Sequence, residues 1–292
     1  MAAGAVTLSQ SAMNALWNQG VSWQEISPTS YYPPFYVTHA TDPVKTFKCT
    51  GYGACNANGL QVHIPNGAVV EPHSDGHLAI LDTVLGTEID GWACSIAATA
   101  INCTWGGKFP FGGSGITNSG SEADHAGFSG GIMVITAQEL LNGHIDHALG
   151  INTECLNNPA VYPADPNDGG TDTSCGGSGP PSYGDMVHLL WTPAQIASSA
   201  YSAECKTILT AFATYGAYTR DTGGLGLSFD KQASSSYTSL GLADPWITTI
   251  VPHMVAAGDA QIFSSTGGFW DSCLGRLSAS DLELIQIQAG SY

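Results

Sequence analysis

Eight cysteines, Cys49, Cys55, Cys94, Cys103, Cys155, Cys175, Cys205 and Cys273, constrain this chain more than any other feature. None is spaced Cys-x-x-Cys, which argues against a zinc ribbon or a thioredoxin-type redox pair. An even count in a chain rich in Gly, Ser and Thr reads as the disulfide framework of a secreted, extracellular protein. Eight cysteines allow about 105 connectivities. Sequential pairing, 49–55, 94–103, 155–175 and 205–273, is favoured because the first three pairs close short loops; the alternative leaves two or three as buried thiols. Met1-Ala2-Ala3-Gly4 is neither basic nor followed by an apolar stretch, which reads as a mature form behind an added Met1. Asn102-Cys103-Thr104 is the only glycosylation sequon, and the Cys at its centre weakens it.

Charge narrows the partners. Seven Lys and Arg against 24 Asp and Glu give a formal net charge of −17 over 292 residues. Seven scattered basic residues cannot form the stripe that phosphate-backbone binding requires, so nucleic acid is excluded, and anionic membrane surfaces are disfavoured for the same reason. No run approaches the roughly 20 apolar residues that span a bilayer. With 43% hydrophobic residues, 7 Trp, 11 Tyr and 9 Phe, the chain can bury a large core. The same scarcity of cations makes neutral polysaccharides or oligosaccharides better partners than acidic ones.

The pattern along the chain is mainly β. Residues 8–18 predict a short helix with Met13, Leu16 and Trp17 on one side. Leu60 to Ile64, Leu78 to Leu81 and Thr87 to Ala93 predict strands, and Gly106 to Gly120 a loop. Thr136-Ala-Gln-Glu139 has the form of a capping box, with Gly143 as the C′ residue and a strand expected from His144 to Ile151. Residues 156–184, rich in Pro, Gly and Asp, predict a long loop. Thr192-Pro193 opens a helix, Ser202 to Tyr215 is the strongest helical pattern, and Tyr218–Asp221 with Leu225–Phe229 predicts a hairpin. A closing strand is expected over Asp281–Gln288. Together these predict a single domain over 1–292, an antiparallel two-sheet β-sandwich of jelly-roll type with a few short helices, acting as a monomer.

Four clusters could carry chemistry. Asp75 and His77, one residue apart, share a face if extended and could bind a common ligand; a polar turn before a buried strand, with Asp82 as its terminator, would look the same. Glu88, Asp90 and Trp92 share a strand face and offer two carboxylates beside an aromatic platform, the pair that glycoside hydrolysis requires; a solvent-facing polar strand alternates in the same way. His147 lies on the side of Ile145 and Leu149, with His144 and Asp146 opposite, so it is either catalytic or a buried structural histidine satisfied by a carbonyl. Asp221 ends a strand before a Gly turn, as a cleft carboxylate or an Asx turn would. Glu122, Asp124 and His125 read as loop chemistry. No Gly-x-Ser-x-Gly, phosphate loop, dinucleotide fingerprint or His-Glu-x-x-His occurs.

The order Asp75-Gly-His77-Leu-x-Ile-x-Asp82, Gly143-x-Ile-Asp-His147-Ala-Leu149, Tyr162-Pro-Ala164 with Asp168-Gly169, and Tyr215-Gly-Ala-Tyr218-x-x-Asp221 resembles a family of secreted bacterial single-domain proteins of uncharacterised activity. The resemblance covers about residues 25–290 and implies secretion and a single domain. Glu88-Ile-Asp90 also resembles the catalytic strand of laminarinase-type jelly-roll glycosidases, but Ala93 stands where their second Glu belongs, which removes the acid/base.

These observations lead to a secreted glycoside hydrolase acting on a neutral polysaccharide. Asp221 or Glu88 would be the acid, Asp75 or Asp90 the base or nucleophile, and His77 or His147 would tune them; Trp92, Trp105 and Trp191 would be sugar platforms, and Asp168 a further substrate contact. No dedicated cofactor is expected. The alternatives are a polysaccharide lyase, a metal-dependent enzyme holding a divalent cation on Asp75, His77 and His147, and a non-catalytic glycan-binding or cell-surface module.

Overall fold

The computed structural model describes residues 5–18, 24–26, 33–73, 75–116, 124–157, 159–165, 181–223, 226–227, 235–263 and 268–288. The protein is mainly β with short helices, as its alternating patterns imply. Its described strands form four sheets rather than the two expected, and three strand pairings are parallel rather than antiparallel.

Two four-stranded sheets occupy the N-terminal part. One orders β10 (Trp105–Pro110), β7 (Thr87–Trp92), β6 (Leu78–Asp82) and β3 (Phe35–Val37); the other orders β5 (Gln61–His63), β4 (Val44–Cys49), β9 (Ala100–Cys103) and β8 (Ser95–Ile96). Phe47, Val62, Ile64, Leu78, Ile80, Ile89 and Ile101 form their shared core. The Gly106–Gly120 segment expected to be a loop begins as β10. Glycine sits there because the strands approach closely: a Cβ on Gly106 would lie 2.3 Å from the Asp90 carbonyl oxygen and 3.0 Å from Phe47. Cys49–Cys55 and Cys94–Cys103 are disulfides in this half.

The third and largest sheet orders β1 (Ala5–Thr7), β17 (Leu282–Ile287), β12 (Met186–Leu189), β13 (Ala217–Thr222), β11 (Leu149–Thr153) and β14 (Gly226–Leu227). Helices α1 (Gln10–Trp17), α2 (Ala137–Asn142), α3 (Pro193–Ser198), α4 (Ala203–Tyr215) and α6 (Val251–Ala257) contribute their apolar stripes to the core it shares; α5 (Ser235–Thr238) is a single turn. Their ends are fixed as the sequence implies: Thr136 with Glu139 and Thr192 with Gln195 complete capping boxes, and Gly143 adopts φ 69°. The hairpin expected around Gly223 does not form, because β13 and β14 both pair with β11, which lies between them. The strand expected from His144 begins only at Leu149. Cys205–Cys273 ties α4 to the segment after β16 (Phe269–Asp271). That strand lies between β15 (Ala260–Ile262) and β2 (Gln24–Ile26) in the fourth sheet. Three expected disulfides are thus in place, while Cys175, needed for the fourth, lies outside the described residues. No helix among the described residues is long and apolar enough to cross a membrane.

Candidate functional site

The site is built on one face of the β10–β7–β6 sheet. Alternation along β7 turns Ile89 and Gly91 towards Phe47 and the Cys94–Cys103 disulfide, so Glu88, Asp90 and Trp92 take the opposite face. Register places Phe109, Gly107 and Trp105 beside them on β10. His77, one residue before β6, continues the same face and is hydrogen bonded to the Gly91 backbone. The turn that carries Asp75 is fixed by a buried carboxylate the sequence reading passed over: Glu71 accepts from the His73 amide (2.8 Å) and the Gly76 amide (2.9 Å). Gly76 is required there by its φ of 53°.

Segment 124–131 lies over this face. Gly130 and Gly131 donate their amides to Asp90 (2.5 Å) and Glu88 (2.6 Å). A Cβ on Gly131 would lie 2.2 Å from Phe35 and 2.8 Å from Glu88 Oε1, so only glycine brings the backbone that close. Asp90 is 1% and Glu88 6% exposed. Burial first, then the charge of Glu88 and a hydrogen bond to it, hold the Asp90 carboxyl well above the usual carboxylate range. The pair lies beneath the surface.

Beside it, Arg220 of β13 donates through Nε (2.9 Å) and Nη2 (2.5 Å) to Asp124 Oδ2, while Asp124 Oδ1 accepts from the Ala126 and Phe128 amides. Arg220 and Asp124 are both buried, and together they tie β13 to segment 124–131. Asp124 acts electrostatically on His77, Asp90 and Asp221. His77 and Asp221, 144 positions apart by number, therefore meet around one carboxylate.

The reachable groups are Asp75, His77, His125 and Asp221. His125 Nδ1 lies 3.9 Å from Asp221 Oδ1, with side chains 47% and 34% exposed. Burial and then Asp124 push the Asp221 carboxyl up to about 6, against the pull of His125, the Thr222 amide and Arg220. With a third of its side chain open, this is a recessed but accessible acid. Burial lowers the pKa of His77, with Arg220 adding to the fall, and Asp75 and Asp124 only partly oppose it. His77 and Asp221 thus each interact with Asp124, the imidazole shifted down and the carboxyl shifted up.

Asp75, His77, Glu88, Asp90, Trp92 and Asp221 are thus gathered around one region, with Trp105 next to Trp92 in register and packed in part against the Phe47 core. Two sequence candidates, His147 and Trp191, are elsewhere. His147 donates through Nε2 to Glu139 Oε1 (2.9 Å) and through Nδ1 to the Ala148 carbonyl (2.8 Å), so both ring nitrogens are satisfied. Burial opposes its charge, but the Glu139 and Ala148 hydrogen bonds prevail and raise its pKa, while Glu139 is lowered by the same contact. It lines a pocket of about 410 Å³ with Phe128, Met133, Tyr162 and Tyr218. Trp191 donates its indole N–H to Asp281 (2.9 Å) and packs on Tyr201, within the helical core. Asp168 lies outside the described residues.

Asp124, expected to be loop chemistry, is instead the buried partner of Arg220. Arg220 and Glu71 went unrecognised: Arg220 had a signal, since a lone cation within the Ala217–Thr222 strand pattern demands a buried partner, and Glu71 had none. Among the described residues, the metal-spaced group Cys205, Asp271 and Cys273 has both sulfurs committed to a disulfide. No family model matches the chain, and no match is found among the curated proteins or the solved structures.

Proposed function

We propose that the protein is a secreted hydrolase of neutral glycans. The observation that carries this reading is Asp221: an accessible carboxyl with its pKa raised to about 6, gathered with Asp75 and a neutral His77 around the buried Arg220–Asp124 pair. Such a group keeps its proton at mildly acidic pH and can deliver it to a departing glycosidic oxygen. Asp75 serves as the second carboxylate, as base towards water or as nucleophile, with His77 interacting electrostatically with it. Trp92 and Trp105, half-buried neighbours on the same sheet, offer apolar faces to a sugar ring. Three disulfides fit an oxidising, extracellular compartment.

Reducing-end release from a panel of neutral polysaccharides tests it. Asp221→Asn and Asp75→Asn should each lower kcat by about 10²- to 10⁴-fold. Native activity should decline above about pH 6, as Asp221 loses the proton it must donate. Both variants turning over at the native rate would remove the reading. Glycan binding by the native protein without any turnover favours the binding module instead.

A further inference from the structure

Only two non-glycine residues among those described have left-handed backbone, Tyr52 (φ 40°) and Ala93 (φ 50°), and both belong to the same corner of the molecule. Left-handed backbone is unfavourable for a residue with a Cβ and persists only where its surroundings impose it. Tyr52 sits at the tip of the loop closed by Cys49–Cys55. That loop is docked on β9's end: the Thr50 and Gly51 amides donate to the Cys103 and Thr104 carbonyls (2.8 and 2.9 Å). A Cβ on Gly51 would lie 2.6 Å from the Thr104 methyl, so the approach is as close as glycine permits. Ala93 follows Trp92 and precedes Cys94, its amide donating to the Asp75 carbonyl (2.7 Å).

What these constraints present is aromatic. Tyr52 is 81% exposed, and its ring meets Trp105 edge to face, centroids 6.1 Å apart. Trp105 is the cross-strand partner of Trp92, which shares its strand face with Asp90. A tyrosine left that exposed gains little from burial, so its strained backbone is not explained by packing.

We infer that Tyr52, Trp105 and Trp92 form a platform subsite for the pyranose rings of a neutral polysaccharide, leading the chain towards Asp75 and His77. The inference rests on the glycan reading above and deepens it: the substrate is a polymer gripped several units from the bond that reacts. Rigid aromatics bind with little entropy loss, and a ring held in place before the ligand arrives gives up least. The net charge of −17 argues against anionic ligands.

Native gels containing laminarin, galactomannan or dextran, run alongside KM measurements, test this on the whole protein. The native protein should be retarded by at least one polymer. Tyr52→Gly, which removes the ring and frees the strained backbone, should melt no lower than the native protein yet bind about fivefold or more weakly, with KM rising and kcat nearly unchanged. Tyr52→Phe should keep the affinity. Unretarded native protein, retention within about twofold in Tyr52→Gly, or flotation with phosphatidylcholine vesicles in place of glycan retardation would each overturn the platform. Retardation without reducing-end release sinks the hydrolase and leaves the platform standing; turnover with unchanged KM in Tyr52→Gly does the reverse.

Discussion

The two halves of the molecule are stabilised in opposite ways. The six-stranded sheet and its helices bury a continuous apolar core that runs from Met13 and Leu16 through Ile208, Leu209 and Phe212 to Leu282 and Leu284, crossed by one long-range disulfide. The β10–β7–β6–β3 and β5–β4–β9–β8 sheets share a smaller core, contribute no helix to it, and hold two disulfides that each close a short loop. Where bulk burial supplies the stability, no described non-glycine residue has left-handed backbone. Where loops are clamped locally, Tyr52 and Ala93 do. The comparison separates holding the fold together from holding side chains in place.

The sharpest way to break that contrast is to remove core volume from the helical half. Phe212→Ala empties a site with no solvent exposure and should cost about 3–5 kcal/mol in urea unfolding. A cost under about 1 kcal/mol would mean that the helical core is not the main source of stability. The disulfides probe both halves at once. Loop-closure entropy assigns about 4 kcal/mol to Cys205–Cys273, with a sequence separation of 68, and about 2 kcal/mol to Cys49–Cys55, with a separation of 6. Removing the first pair to alanine should therefore lower the melting temperature more. Removing the second should do less to stability and more to glycan retardation, and the opposite ranking would dissolve the distinction.

What could be read in the sequence follows the same division between local and distant. Helix ends were legible because Thr136 with Glu139, and Thr192 with Gln195, decide them within four residues. Strands β6 and β7 were legible from alternation. The parallel pairing of β11 with β13, and β14 returning to the other edge of β11, depend on chain 60 or more residues away by number and leave no local trace. The site divides similarly. Asp75, His77 and Asp221 stood out as polar residues beside glycine turns, whereas Asp124 is organised by a contact with Arg220 across 96 positions. His147 misled because its partner, Glu139, was already accounted for by the capping box, and one carboxylate serves both: Oε2 on Thr136 and Oε1 on His147.

A third probe uses pH. Burial, with help from Asp259, pushes the Asp271 carboxyl up to about 7, and its Oδ2 has no hydrogen-bond partner. The folded state therefore binds this proton more tightly than the unfolded chain, where the value is 3.8. Stability from this group is greatest below about pH 4 and falls as pH rises through about 7. Asp271→Asn keeps an acceptor for the Cys273 amide and should raise stability at pH 8 by about 2 kcal/mol, with almost no change at pH 4. Equal effects at both values would show that the asparagine changes packing rather than charge.

The smallest effect tests the clamped half most directly. Ala93 at φ 50° holds a conformation that costs an L-residue about 1 kcal/mol and glycine almost nothing. Ala93→Gly removes that strain but also makes the unfolded chain more flexible, which offsets part of the gain. The net expectation is a stabilisation of a few tenths to about 1 kcal/mol in urea unfolding. If local clamping exists to orient Trp92, this more stable variant should bind neutral glycans no better than the native protein, and its Trp92 should be less firmly held. A variant that is less stable would mean that the Ala93 methyl makes contacts worth more than the backbone strain, and Ala93 would then belong with the packed core rather than with the presenting loops.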